Sequence, residues 1–439
     1  MRKILKKIIV YILFLESKMI LRKFNPYIIG VVGAVGKTTT KDSVASIFKN
    51  IKDENGHNLK YIATKKSLNS EFGVPLTIIG ADSGWDSILA WLKIIIKGIK
   101  VYLKKDYAKY LILEVGADQK GDIKSISEWL HCDVVIVTAY GNVPVHVENF
   151  KNRNELIRED EYLVKSLKEK GVLIYNEDCE DACDISDRHT KEKSTKEKLA
   201  FTIKNTKNTE CKAKAISNDI RNKKVTAQVS VKNNLFILEC DGVVGEAAIS
   251  CALPALIVSN LLALDMKNSI KNIKEMERSP GRMRVLEGKN SSAVIDDSYN
   301  SSPVAVSSGL KTLKSLTGHM RKIIILGDML ELGKYTKEEH LKIGKEAASS
   351  GNILITVGNR AKFIAEGARD SGMGAGWILE CGDSESAGEE VLNILKTGDI
   401  VYVKGSQSIR LEKAVKMLVS ENVDIKKDIV RQSSEWLAR

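Results

Sequence analysis

The segment Gly33-Ala34-Val35-Gly36-Lys37-Thr38 constrains the fold of this chain more than any other. The run before it, Pro26 to Val32, is short and apolar, and the run after it, TTTKDSVASIFKN, has a helical pattern. Strand, glycine-bearing loop and helix, in that order, bring backbone N–H groups and a helix start onto phosphate oxygens. Lys37 is placed to neutralise the outer phosphates of a nucleotide, and the Thr38 hydroxyl to hold magnesium. Gly33, Ala34, Val35, Gly36, Lys37, Thr38 and Thr39 are therefore the candidate nucleotide-binding residues. Val31 stands where the full phosphate-loop pattern has its first glycine.

Further apolar runs at Tyr110 to Val115, Val134 to Thr138 and Val172 to Tyr175 are short and do not alternate, as in strands buried on both faces of a mostly parallel sheet. Residues 180–200 are polar and of mixed charge and read as a loop. The alternation of Val225, Ala227, Val229 and Val231 then predicts a small antiparallel sheet. After Pro280 and Gly281 the α/β pattern resumes, with strands at Ala293 to Ile295, Lys322 to Leu326, Ile353 to Val357 and Ile400 to Val403. Ser302 and Pro303 read as a helix N-cap and first helical residue. At 439 residues the chain exceeds one comfortable core. The expected division is a basic amphipathic segment at 1–25, a central nucleotide-binding α/β domain at 26–280 and a second α/β domain at 281–439.

The net charge of +12 implies a surface that attracts anions. No basic stripe interleaves with aromatics, so nucleic acid is not an expected partner. Seven scattered cysteines without a C-x-x-C pair exclude a disulfide framework or zinc ribbon and point to a reducing cytoplasm. The uncharged run Ile8 to Leu15 is far too short to span a bilayer, which needs roughly 20 residues. A second amphipathic helix is predicted over Trp85 to Leu103, with Lys93, Lys97, Lys100 and Lys104 on one face. Either helix fits ordinary packing on the protein or contact with a membrane surface. The expected location is the cytoplasm, with peripheral contact at the inner face of the membrane as an option.

Magnesium takes hard oxygen ligands, and Glu114, at the end of LILEVG, is a strand-end carboxylate of the right kind. His146 follows the next strand, in GNVPVHVENF.

The pieces GAVGKTTTK, SLNSEFGVPLT, LILEVGADQKGDI, HVENF, SPGRMRV, IDDSYNSSP, ILGDMLELG with His340 following, and VYVKGSQSIRLEK run in one order from residue 26 to the C-terminus. In that order the chain resembles the Mur ligases, and most of all the MurF type, which adds D-alanyl-D-alanine to UDP-N-acetylmuramoyl-tripeptide. The resemblance implies the α/β fold of that family's central domain, a mostly parallel sheet with a small added antiparallel one, plus a Rossmann-like C-terminal domain. It implies ATP and Mg2+ as cofactors, with Thr38 and Glu114 holding one magnesium and His146 helping to bind a second. Arg282 and Asp297 approach the nucleotide, Asn69 faces the reaction centre, and Asn300, Lys404 and Ser406 lie around the incoming amine. Lys37, Glu114, His146 and Asn69 are then the catalytic set.

Three departures shape the expectation. Residues 1–25 are too few for the N-terminal domain that holds UDP in the family. Asp160 stands at the position of a carbamylated lysine that reaches the metal, with Glu159 and Glu161 as alternative carboxylates. In GEAAISCALPA, Ala247, Ala248 and Cys251 replace polar residues near the adenine. The implied function is an ATP-dependent, ADP-forming carboxylate-amine ligase working through an acyl phosphate. Its partners are a small-molecule or lipid-linked cell-wall peptide precursor and an amino acid or dipeptide, and a monomer is expected. The alternatives are a divergent ligase with a lipid-linked or pseudomurein-type acceptor, and a non-catalytic nucleotide-binding descendant.

Overall fold

In a computed structural model describing residues 2–52, 56–65, 68–84, 87–143, 150, 152–192, 197–204, 209–318, 320–433 and 436, the apolar run before the phosphate loop is β1 (Tyr27–Val32). It pairs in parallel with β3 (Tyr110–Glu114) on one side and β4 (Cys132–Val137) on the other. Ile28 and Val32 enter the core on one sheet face and Ile29 and Val31 the core on the other. A strand buried on both faces needs an unbroken apolar run, which explains the absence of alternation. Each such side chain, fully buried, contributes about 1.5–3 kcal/mol.

The first sheet has nine strands in the order β2-β3-β1-β4-β5-β6-β7-β8-β9. Its remaining members are β2 (Tyr61–Ala63), β5 (Leu167–Asn176), β6 (Glu197–Thr202), β7 (Cys211–Asp219), β8 (Lys224–Val231) and β9 (Asn234–Asp241). Pairing is parallel as far as β7, and the antiparallel strands β8 and β9 continue the same sheet at its edge. Around it lie α1 (Arg2–Phe24), α2 (Lys37–Ser46), α3 (Gly73–Ile79), α4 (Ile88–Leu103), α5 (Asp122–Ser127), α6 (Arg153–Lys165), α7 (Glu180–Glu192), α8 (Glu246–Leu261) and α9 (Met266–Lys274).

The stretch expected as a loop at 180–200 is instead α7 and the start of β6, with 193–196 outside the described residues. Ala182, Ile185, Ser186 and His189 are buried at helical spacing, so a face with one large apolar side chain is enough once a core covers it.

The second sheet has the order β10-β11-β15-β12-β13-β14, from β10 (Arg284–Glu287), β11 (Ala293–Asp296), β12 (Lys322–Gly327), β13 (Ile353–Val357), β14 (Ile378–Cys381) and β15 (Ile400–Lys404). All pairs are parallel except β10 with β11. Its helices are α10 (Pro303–Ser315), α11 (Thr336–Ala348), α12 (Lys362–Asp370), α13 (Ser384–Ile394), α14 (Glu412–Leu418) and α15 (Ile425–Asp428). Along β12, Ile324 and Leu326 face one core and Ile323 and Ile325 the other. No helix of the described residues is long and apolar enough to cross a membrane.

Candidate active site at the phosphate loop

Between β1 and α2 the chain turns through two glycines with left-handed backbone, Gly33 at φ +127° and Gly36 at φ +87°. A Cβ on Gly33 would stand 2.2 Å from Thr138 Oγ1, and one on Gly36 2.9 Å from Cys251 Sγ, so both positions demand glycine. Ala34 and Val35 donate their N–H groups to the Ala139 carbonyl at 2.9 and 3.0 Å, which fixes the loop to the end of β4. Those two amides are therefore occupied within the fold. The helix start remains: α2 opens at Lys37 with no side-chain cap, and its first-turn N–H groups suit phosphate oxygens. Lys37 Nζ folds back on the Gly33 carbonyl at 2.5 Å, and the Thr39 carbonyl accepts from Ser43 Oγ at 2.9 Å.

Glu114, buried at the end of β3, accepts from Asn69 Nδ2 at 3.1 Å through Oε1. Its Oε2 is buried without a protein partner. A Cβ built on Gly116 would lie 3.4 Å from Asn69 Nδ2 and 3.6 Å from Lys37 Cε, so Lys37 and Asn69 converge on one point of backbone, and the Asn69 hydrogen bond ties Glu114 to it. A buried carboxylate oxygen without a donor beside a threonine-bearing helix start fits a hard divalent cation. Among the described residues no group of three or more His, Cys, Asp or Glu side chains is clustered for a metal. Phosphate and water oxygens would then complete the shell of a magnesium ion held by Thr38 and Glu114.

Asp160 is buried on α6 and accepts from the Tyr140 hydroxyl at 2.6 Å. Burial pushes its carboxyl up to about 6, against the Lys37 ammonium, the Tyr140 hydroxyl and the Gly33 amide, which hold it down. Its neighbours are committed elsewhere. Glu159 accepts from the N–H groups of Gly121 at 2.8 Å, Ile123 at 3.2 Å and Lys124 at 3.4 Å at the start of α5, and Glu161 pairs with Arg188. Of the three carboxylates weighed for the lysine position, Asp160 alone is set beside Lys37. His146 lies outside the described residues.

The connection into the second sheet sends a side chain to the start of α2. Arg282 Nη2 donates to Thr38 Oγ1 at 3.1 Å, and its guanidinium lies 4.3 Å over the Tyr299 ring. It stands between two residues of positive φ, Gly281 at +70° and Met283 at +55°. Ser279 Oγ donates to Asp42 Oδ2 at 2.8 Å, a second link from this connection to α2.

Asp297, expected near the nucleotide, is engaged within the second sheet. It pairs with Lys404 Nζ at 2.7 Å and accepts from the Met283 N–H at 3.2 Å and the Tyr402 hydroxyl at 3.3 Å. Its neighbour Asp296 is fully buried, which pushes that carboxyl up to about 6. Lys404 also donates to the Asn300 carbonyl at 2.9 Å, while the exposed Asn300 side chain accepts from Ser301 N–H at 2.9 Å. Ser406 Oγ accepts from Leu330 N–H at 2.9 Å. His340, fully buried, accepts from Met329 N–H at 3.0 Å through Nε2 while Nδ1 meets the Thr336 carbonyl at 2.6 Å, so it braces the GDMLELG loop. The structure thus gathers Lys37, Thr38, Asn69, Glu114, Asp160 and Arg282 around the phosphate loop. Asp297, Asn300, Lys404 and Ser406 form a separate set at the C-terminal ends of β11 and β15.

Three contributors escaped the sequence reading. Tyr140 and Tyr299 act on Asp160 and Arg282 across long sequence separations, for which a single sequence carries no signal. Lys41, buried beside Asp42 and lining the cleft, repeats Lys37 one helical turn later, and that spacing was available. Behind the loop, α8 packs on α2; Cys251 Sγ lies 3.7 Å from the Gly36 carbonyl and burial pushes its thiol up to about 11. A cleft of about 2090 Å³ runs past Thr38, Lys41, Thr64, Arg282 and Tyr299.

Comparison with known proteins matches residues 96–259 to the Mur ligase middle domain and residues 281–407 to the Mur ligase, glutamate ligase domain. A UDP-N-acetylmuramoyl-tripeptide–D-alanyl-D-alanine ligase of Bacillus subtilis is 23% identical over 404 residues, covering 92% of this chain and 78% of its own. MurF from Acinetobacter baumannii superposes with a TM-score of 0.74 at 19% identity, covering 92% of this chain and 79% of that one. MurF ligase from Thermotoga maritima, solved with ADP, gives 0.73 at 21% identity, covering 93% and 83%. With the middle and C-terminal profiles matched in order along one polypeptide, and the same fold in both structures, the chain belongs to the Mur ligase family of ATP-dependent ligases.

Proposed function

We propose that this protein joins a carboxylate to an amine at the expense of ATP, through an acyl phosphate, and that the product is a cell-wall precursor peptide extended by D-alanyl-D-alanine or a related amine. Residues 26–280 serve as the nucleotide-binding domain and 281–439 as the domain that brings the amine. The observation that carries the reading is the convergence of Lys37, Asn69 and the unpaired Glu114 oxygen at a helix start that Arg282 reaches from the second sheet. A magnesium ion at Thr38 and Glu114 would supply electrostatic stabilisation of the transferring phosphoryl group.

The first-turn amides of α2 and the Lys37 ammonium hold the outer phosphates while the acceptor carboxylate attacks the γ-phosphorus. The C–O–P linkage forms, the bond to the β-phosphate oxygen breaks and ADP leaves. Arg282, released from Thr38, follows the charge that grows on the phosphoryl oxygens. The amine then attacks the acyl carbon, expelling phosphate and losing a proton to leave the amide. Asn69 holds Glu114 in register, and the second sheet excludes water that would hydrolyse the intermediate. The preserved geometry around Lys37 speaks against a non-catalytic descendant.

The test is phosphate release by purified protein given ATP, magnesium, the muramoyl tripeptide and D-alanyl-D-alanine. Release that depends on both precursors supports the reading, and release no greater than with ATP alone sinks it. A second reading, a lipid-linked acceptor, is favoured by the outer face of α1 and α4.

A further inference from the structure

Ten of the fifteen large apolar side chains left exposed among the described residues lie on just two helices. On α4 they are Ile88, Leu89, Leu92, Ile96, Ile99 and Leu103; on α1 they are Ile8, Tyr11, Leu15 and Met19. Both sets recur at three and four residues, so each forms one continuous seam. Neither seam belongs to the core. α4 packs through Ile94, Gly98 and Val101, and α1 through Ile9, Leu13, Ser17 and Ile20. Scattered exposed apolar residues are ordinary, but paired seams on adjoining helices are a contiguous patch that has to be covered.

The two helices pack side by side and run the same way, since Glu16 abuts Gly98 and Lys23 Nζ reaches the carbonyls of Tyr102 and Lys104 at 2.5 and 2.9 Å. Beside the α4 seam runs a strip of one sign: Lys93, Lys97, Lys100 and Lys104 are exposed, and α4 holds no acid. The one acid of α1, Glu16, is turned inward against Gly98. The same cleft that passes Thr38 and Arg282 is lined at α1 and α4 by Ile9, Ile88 and Trp91.

We propose that the outer face of α1 and α4 docks on an anionic lipid bilayer, with the apolar seams in the acyl boundary and the lysines among the headgroups. Neither helix spans; both lie in the interface. A second copy fits this face poorly, because a two-fold contact through it would bring like-charged lysine strips together, whereas anionic headgroups neutralise them. The docked orientation sets the cleft against the bilayer, so an acceptor carried on a lipid can reach the phosphate loop without leaving it. That last step rests on the ligase reading; the docking does not.

The experiment is flotation of the whole chain, without ATP, on phosphatidylcholine vesicles with and without phosphatidylglycerol. Wild type is expected to bind the anionic vesicles at least about tenfold more tightly, and to lose that preference at high salt. The double variants Leu92→Glu with Ile96→Glu, and Lys93→Glu with Lys100→Glu, change exposed side chains only, and circular dichroism checks that they fold. Each is expected to weaken binding by about tenfold or more. Absence of wild-type binding at low salt overturns the proposal, as does undiminished binding by the folded Leu92→Glu, Ile96→Glu variant. A wild-type dimer that this variant dissolves, with no vesicle binding, overturns it in favour of a second copy. Vesicle binding in a protein that forms no amide supports the docking and sinks the ligase reading instead.

Discussion

Arg282 donates to the hydroxyl of Thr38 across the gap between the two sheets, at 3.1 Å, while stacked 4.3 Å over Tyr299. The guanidinium thus stands at the oxygen that the family resemblance gives to magnesium. A magnesium ion at that oxygen would displace the guanidinium, whose charge suits the phosphate of a bound nucleotide.

Removing this side chain should therefore cost turnover more than folding. Arg282→Ala is expected to lower kcat/KM for ATP by about 10- to 100-fold. Arg282→Lys should rescue little, because lysine lacks the planar fork that stacks on Tyr299. Steady-state phosphate release checks both, and a lysine variant with full activity would contradict the stacked geometry.

Glu114→Gln keeps the shape and the contact with Asn69 but withdraws the charge from the buried, unpartnered oxygen. We expect turnover to fall by about 100-fold or more, with a raised magnesium requirement in the activity that remains. Chelation of magnesium should abolish turnover in wild type. A magnesium titration of the two proteins side by side decides the matter; identical curves would remove Glu114 from the metal site.

Glu16 supplies a pH dependence away from the active site. Burial between α1 and α4 pushes its carboxyl up to about 7, from an ordinary value of 4.5. The folded protein therefore holds this proton more tightly than the unfolded chain. The resulting stability is fully present below the unfolded value and is lost as pH rises from there through about 7. Glu16→Gln should leave stability unchanged in acid and raise it by about 1 kcal/mol above neutrality. Urea denaturation at both pH values measures this, and equal gains at both would rule out ionisation as the cause.

His340 joins Met329 N–H to the Thr336 carbonyl inside the second sheet's core. Burial lowers its pKa, so the neutral ring, accepting at Nε2 and donating at Nδ1, is the form that fits. His340→Ala strands a buried N–H and should cost about 1–3 kcal/mol of stability. Affinity for ADP, measured by calorimetry, should change little, since the contacts lie away from the phosphate loop.

Strand positions were legible because strands buried on both faces must be continuously apolar, as β1, β3 and β12 are. The phosphate loop was legible because Gly33 and Gly36 have no substitute at their backbone angles. Asp160 could be placed by counting, but its environment could not, because Tyr140 meets it from a different strand end. Helix α4 shows the limit of periodicity most plainly. The pattern groups Leu89, Leu92, Ile96, Ile99 and Leu103 on one face, yet it is silent on what covers that face, and packing falls to Ile94, Gly98 and Val101. For α7, the buried face offers only Ala182 and Ile185 as apolar residues beside the polar Ser186 and His189, too faint a rhythm to mark a helix.

Arg282 sits between the left-handed residues Gly281 and Met283, at the crossing from one sheet to the other. Rotation about that crossing turns the backbone that carries the guanidinium, so the orientation of the second sheet is tied to the Thr38 hydroxyl at the phosphate loop. By reciprocity, whatever the nucleotide does to the angle between the sheets, the angle does to the affinity for nucleotide. The chain is in that sense a latch, and Arg282 is one bolt of it, beside the Lys311–Glu246 pair and the backbone bonds of Val244 to Met283 and of Val285 to Gly242.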